Sequence, residues 1–355
     1  MIFRKFNGIC FVALLSFFLG GCASTLVGSL EELHEPPVEA FFVTDRNDTG
    51  LKDPAEKYGK ERASVSYGIC SVSIPPGHRI GKLESPTFRK DVEEHIVLVD
   101  VSVLEKKDFF SKVSHALNRS GKKTMLLYVH GYNVTFEKAA RRMVQIVDDL
   151  DFKGIPVFYS WPSQGSVGGY PADAASVEWS EQNLGDFLAE AARISGVNTL
   201  YLLAHSMGNR ALTGAFLDLV REKPHLKSRF KALLLTAPDI DSEVFRRDIG
   251  PGLAASGAAI TLYASGRDRA LRLSKRLHGY PRAGDVDGFP LIVPGIETVD
   301  ATHVDTSFLG HSYFNGSRSV LSDMFYILNE ELRAEQRFSL EPVDTPEGRY
   351  WRFKE

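Results

Sequence analysis

The stretch Tyr201–Arg210, "YLLAHSMGNR", decides the fold. Its first four residues are an apolar run that stops at His205-Ser206. A glycine, Gly208, stands two residues after the serine. From there Leu212, Phe216, Leu219 and Val220 recur at i, i+4, i+7 and i+8, which is the spacing of one helix face. A buried strand that turns directly into a helix at a serine has two readings. One is a catalytic serine held up on a tight turn. The other is a short strand-to-helix connection that happens to contain a serine. Small residues at Ala204 and Gly208 permit the close approach of strand and helix that the first reading needs.

Outward from this stretch, apolar runs alternate with helical patterns. "TMLLYVHG", "PVFYSWPS", "KALLLTAPD" and "AITLYASG" read as strands, with a weaker one at "IETVDAT". "FEKAARRMVQIVDDL", "ASVEWSEQNLGDFLAEAARI" and "RALRLSKRL" read as helices. A last helix around Val320 to Leu332 aligns Leu321, Met324, Phe325, Leu328 and Leu332. Near-continuous apolar strands alternating with helices imply an α/β fold with a parallel sheet covered on both faces. Ahead of it, "AFFVTDR", "CSVSIPP" and "HIVLVDVSVL" are three further extended segments. The tail "RFSLEPVDTPEGRYWRFKE" is polar with late aromatics, and its pattern leaves open whether it docks.

The chain has 355 residues, 43% hydrophobic and 25% charged, with a net charge of −3, so its charge gives no reason to expect a nucleic-acid partner. Its N-terminus reads differently from the rest. Arg4 and Lys5 precede an apolar core from Ile9 to Leu19, too short to span a bilayer comfortably and suited to a secretory signal. "LGGC" follows and resembles the bacterial lipobox, in which the cysteine, here Cys22, becomes the lipidated first residue. An ordinary cleavable signal is the other reading. By the same resemblance, Ala23 after the cysteine points to the periplasmic face of the outer membrane. The expected organisation is a signal peptide over 1–21, a proline-containing tether over 22–39, an α/β domain over 40–335 and a tail over 336–355. Of three cysteines only Cys70 is then an ordinary thiol, so no internal disulfide forms.

Ligands of open parallel sheets collect at the carboxyl ends of the strands. The residues there, in chain order, are His130-Gly131-Tyr132-Asn133, His205-Ser206, Asp239 with Asp241, Arg267-Asp268 and, further on, His311. The order is an oxyanion-type turn, a serine, an acid and a histidine. A serine hydroxyl needs a base to become a nucleophile, and the base needs an orienting partner. His311, after the last strand and before the last helix, is the expected base, with His303 as second choice. Asp268 is the expected acid, and Asp239, one strand earlier, is the alternative. An oxyanion hole on such an elbow uses the N–H after the nucleophile and one from the loop after the earlier strand, which points to Met207 and Tyr132.

The run "YVHGYNVTFEKAARR", "FYSWPS", "LLAHSMGNRAL", "LTAPDID", "YASGRDRAL" and "GHSYF" resembles the alpha/beta hydrolase family known as domain of unknown function 900, over roughly residues 40 to 330. The resemblance implies an alpha/beta-hydrolase fold: a mostly parallel central sheet, helices on both faces, and here extra N-terminal strands. It implies a family, not a substrate. Trp161-Pro162-Ser163 and Tyr170 with Asp173 also match it, as pocket wall or as purely structural residues.

The leading expectation is therefore a lipid-anchored serine hydrolase that cleaves an ester or thioester through an acyl-enzyme on Ser206. Its partners would be a small-molecule or lipid-like acyl substrate and a membrane reached through Cys22. No metal or organic cofactor is required, and neither H-E-x-x-H nor a phosphate-loop motif occurs. An amidase or acyltransferase would use the same residues, and a non-catalytic binding protein would keep the fold without turnover.

Overall fold

The structure is a computed structural model that describes residues 35–86, 89–304 and 316–354, with the backbone of the strand Leu26–Val27. The expected signal peptide, Cys22, most of the tether and His311 lie outside the described residues.

In chain order the strands are β1 (Leu26–Val27), β2 (Val38–Asp48), β3 (Tyr58–Ser73), β4 (Lys90–Asp91), β5 (Val97–Leu104), β6 (Thr124–Val129), β7 (Ile155–Ser160), β8 (Thr199–His205), β9 (Phe230–Thr236), β10 (Ala259–Ala264), β11 (Glu297–Asp300), β12 (Leu340–Thr345) and β13 (Gly348–Phe353). The principal helices are α1 (Lys106–Arg119), α2 (Phe136–Asp149), α3 (Tyr170–Ala191) and α4 (Gly208–Glu222). After β9 come α5 (Ser242–Val244), a π-helical turn (Phe245–Ile249) and α6 (Gly250–Ala255), then α7 (Arg269–His278) and α8 (Arg318–Glu330).

Among the described residues, eleven strands form one sheet in the order β12-β13-β11-β10-β9-β8-β6-β7-β2-β3-β5. The run from β11 to β2 is parallel throughout. β8 sits between β6 and β9 with both faces covered, which is why its sequence is apolar without alternation. Leu200, Leu202 and Ala204 point into one core, shared with α1, α3 and α4. Tyr201 and Leu203 point into the other, shared with α2 and α8. The three N-terminal extended segments are β2, β3 and β5. β2 joins β7 in parallel, and β3 and β5 continue the sheet antiparallel.

The C-terminal tail extends the other edge. β13 runs parallel to β11, and β12 folds back on it as a hairpin. What fixes it is Arg337, a guanidinium buried to 0% exposure. Its Nη1 donates to Asp323 Oδ2 on α8 at 2.7 Å and its Nη2 to Glu297 Oε2 on β11 at 2.6 Å. Tyr263 on β10 donates to the same Asp323 oxygen at 2.7 Å. Removing one partner of a buried ion network strands the others without water. Arg337→Met is expected to lower the unfolding free energy by about 3 kcal/mol. Urea denaturation followed by circular dichroism measures this, and an unchanged midpoint would show that the tail docks without the network.

Candidate functional site

β8 ends at His205, and α4 begins at Gly208, so the whole reversal falls on Ser206-Met207. Ser206 takes φ +52°, the left-handed region that costs a non-glycine residue on the order of 1–3 kcal/mol. Its neighbours hold it there. The Ser206 N–H donates to Thr236 O at 2.9 Å. Its carbonyl accepts from Asn209 N–H at 3.1 Å, from Asn209 Nδ2 at 3.0 Å and from Asp239 N–H at 3.2 Å. Two glycines make the turn possible. A Cβ on Gly208 would lie 2.3 Å from His130 O, and one on Gly131 would lie 2.9 Å from Ser206 Cβ. The end of β6 and the start of α4 therefore touch through main chain, with Ser206 between them.

The loop after β6 is braced from three sides. The His130 ring stacks on Trp161, centroids 4.9 Å apart, and the Trp161 indole N–H donates to His130 O at 2.7 Å. The Gly131 carbonyl can only accept, so His130 Nδ1–H donates to it at 2.8 Å. His130 Nε2 is then the lone-pair nitrogen, facing Arg46 Nη2 and Ser160 Oγ, each at 3.3 Å. Burial, with the adjacent Arg46 charge, pushes the imidazole down to about 3, so His130 is neutral.

Arg46, at the end of β2, is itself buried. Its Nε donates to Ser160 Oγ at 2.8 Å, Nη1 to Gly59 O and Ser163 O at 3.0 Å each, and Nη2 to Val134 O at 2.7 Å. Burial pulls its pKa down to about 9 against the attraction of Asp45 and Asp173. Asp173, on the first turn of α3, completes the brace. It accepts from Asn133 N–H at 3.1 Å, Ser163 Oγ at 2.6 Å and Gln164 N–H at 2.6 Å. Asn133 sits at φ +60°, so the loop bends sharply at that clamp. Trp161, Ser163 and Asp173 are thus scaffold for the loop that carries Tyr132. Among the described residues, the fold gives neither the Tyr132 N–H nor the Met207 N–H an acceptor.

The two candidate acids differ sharply. Asp239 is 2% exposed, and both its oxygens are occupied. Oδ1 accepts from Ser274 Oγ at 2.6 Å and Arg282 Nε at 2.8 Å. Oδ2 accepts from Tyr170 OH at 2.6 Å and Arg210 Nη2 at 3.1 Å. Burial would raise its pKa, but the charges of Arg210 and Arg282 and the two hydroxyls override burial and hold it at about 2. Asp268 is also buried, and it caps α7: its Oδ1 accepts from the N–H groups of Ala270 and Leu271, each at 3.0 Å. Both cap bonds use one carboxylate oxygen. His303 is exposed, just after β11.

The rings of Tyr132 and Tyr170 meet edge-on at 5.3 Å, and the His278 ring lies 5.6 Å from that of Tyr170. Arg46, Arg210 and Arg282 are the residues that sequence reasoning missed. Arg46 left one signal, a cation at the end of the extended segment "AFFVTDR", whose first four residues are apolar. Arg210 and Arg282 left none, because nothing in the chain order brings them to Asp239.

Residues 105–328 match the family described as alpha/beta hydrolase of unknown function (DUF900), and the chain belongs to it. Solved structures similar to it include esterases. An arylesterase shares 10% identity, with 64% of this chain and 93% of that one covered and a TM-score of 0.32. Fungal esterases from Rhizomucor miehei share 13%, covering 83% and 85%, with a TM-score of 0.33. A carboxylesterase from Bacillus subtilis shares 11%, covering 62% and 96%, with a TM-score of 0.29. No curated protein sequence matches the chain.

The low pKa of His130 has a measurable consequence. The unfolded imidazole binds its proton near 6.5, and the folded one only near 3. Between these values the unfolded state holds more protons, so this group's stabilisation is full above pH 6.5 and is lost as pH falls. His78, raised to about 9 by Asp149 and Glu84 against burial, acts in the opposite direction: its contribution is full below 6.5 and is lost as pH rises towards 9. The two largely cancel in the wild type, so a variant isolates one of them. From pH 7.5 to 5.5, His130→Gln is expected to gain about 1 kcal/mol relative to wild type. Urea midpoints at the two pH values test this, and parallel shifts in both proteins would contradict a neutral buried His130.

Proposed function

We propose that this alpha/beta hydrolase is a serine hydrolase that cleaves an ester or thioester through an acyl-enzyme on Ser206. The single observation behind this reading is the left-handed backbone of Ser206, packed between two main-chain contacts that only glycine permits. A structural turn has no need of a serine in that conformation, where glycine would be free of strain.

In the proposed mechanism Ser206 Oγ attacks the acyl carbonyl carbon while its proton passes to His311. The oxyanion that forms is held by the N–H groups of Tyr132 and Met207, at the N-terminus of α4, where the helix dipole favours negative charge. Collapse expels the alcohol or thiol with the proton from His311 and leaves the acyl-enzyme. Water, deprotonated by the same histidine, then attacks the acyl carbon, the bond to Ser206 Oγ breaks as Oγ takes the proton back from His311, and the carboxylic product leaves. Asp268 orients and stabilises the imidazolium. Asp239 fits that role poorly, because four donors already fill its oxygens and two guanidinium groups balance its charge.

A serine-directed fluorophosphonate is expected to label the wild type and not Ser206→Ala; equal labelling would refute the nucleophile. Asp268→Asn is expected to lower turnover of an activated ester by on the order of 10⁴, by analogy with the handicap of a wrong imidazole tautomer in a well-studied serine protease. Asp239→Asn should instead lower stability. An inactive but fully stable Asp239→Asn enzyme would move the acid one strand earlier.

Anchoring is the second part of the proposal. The lipobox-like "LGGC" supports lipidation at Cys22, and Ala23 supports the periplasmic face of the outer membrane. Among the described residues no helix is long and apolar enough to cross a membrane. Exported Cys22→Ala protein should lose tight membrane association in high salt. Retention of that association would count against the lipid anchor.

A further inference from the structure

Helix α7 presents two faces of opposite character. Leu271 and Ser274 are buried against the body, and Ser274 Oγ donates to Asp239. On the outer side Leu273 and Leu277, one helical turn apart, are 52% and 61% exposed. Gly279, at φ +82°, ends the helix and leads directly to Tyr280, which is 58% exposed. Phe289, 49% exposed, lies in the loop that the ion pair between Lys275 and Asp287 holds against α7. Isolated apolar side chains are ordinary on a protein surface, but four grouped on one helix and its adjoining loop form a patch.

Cations rim this patch. Arg267, Arg269, Arg272 and Arg276 are all exposed, and residues 269–282 contain no acid. Among the described residues none of these four arginines has a carboxylate within ion-pair distance, whereas Lys106, Arg247, Arg349 and Arg352 elsewhere on the surface are each paired. The acids that face it are Asp287, paired with Lys275, and Asp285, whose carboxyl feels the charges of Lys275 and Arg272.

We propose that the outer face of α7, with Tyr280 and Phe289, is a docking surface for an anionic phospholipid bilayer. A basic helix with a short apolar stripe lies in the plane of a membrane interface, its leucines in the acyl boundary and its arginines on the phosphates. Charge complementarity selects this occupant, since an apolar protein partner would leave four arginines without counter-charge. The surface uses none of the residues proposed for catalysis and is distinct from an anchor at Cys22. On the opposite, inner face of α7, Ser274 reaches Asp239, whose N–H bonds the Ser206 carbonyl.

Hydrogen exchange of the full chain, read by mass spectrometry in the presence of vesicles, tests the proposal. With vesicles containing phosphatidylglycerol, exchange in peptides spanning 267–290 should slow, while peptides of the far edge strand β5 stay unchanged. Arg269→Ser/Arg272→Ser/Arg276→Ser should lower the ratio of protected to unprotected chain by about fivefold per arginine, on the order of 100-fold in all. Leu273→Ser/Leu277→Ser should also abolish protection. Ser206→Ala should leave protection unchanged, which separates failure of the docking surface from failure of the acyl-enzyme reading. Equal protection by pure phosphatidylcholine, equal protection by heparin without lipid, or no protection at all would each overturn the proposal.

Discussion

The structure is organised around a main-chain collision avoided at two glycines. The start of α4 and the end of β6 approach until Gly208 faces the carbonyl of His130 and Gly131 faces Ser206. No side chain fits in either gap. The chain leaves β8 and enters α4 within two residues, and the residue between them must adopt a left-handed conformation. Sheet order then carries the constraint outward. β8 lies between β6 and β9, so the chain after β6 packs Gly131 against Ser206 while Thr236 and Asp239, at and after the end of β9, bond its main chain.

A loop that approaches so closely must be held rigidly, and the braces come from distant parts of the chain. Arg46 from β2, Trp161 and Ser163 after β7, and Asp173 from α3 meet around His130–Val134. Arg46 lies outside the stretch that matches the family, yet its guanidinium reaches the loops after both β6 and β7. The N-terminal strands are therefore part of the site's support. Full burial makes this support unforgiving, because each donor replaces a hydrogen bond to water that the interior cannot supply.

The opposite edge follows the same logic with different chemistry. Arg337 draws the C-terminal hairpin onto β11 through Asp323 and Glu297 and extends the sheet beyond the last strand of the alternating pattern. Asp239 gathers a similar cluster beside Ser206. Two carboxylates stand after neighbouring strands, and the company each keeps distinguishes them. One is enclosed by two arginines, a serine and a tyrosine, while the other caps a helix through a single oxygen.

Sequence by itself determined the alternation of strands and helices, because burial on both faces of a parallel sheet demands continuous apolar runs and burial on one face of a helix demands a 3.6-residue period. It also determined the turn at Ser206, since small residues on either side of a serine between such elements leave few other conformations. It marked the N-terminal extended segments by their valine and isoleucine content, and left the C-terminal tail open, because a polar edge hairpin has little burial to write into its pattern. Only the tertiary structure decided what surrounds the serine. The pairing of Arg210 and Arg282 with Asp239, the reach of Arg46 to His130, and the clamp of Asp173 on Asn133 join residues tens of positions apart. A hydrogen bond or ion pair between distant side chains imposes no periodicity on the chain. It comes into being only when the sheet order has brought the partners together and excluded the water that would otherwise satisfy them.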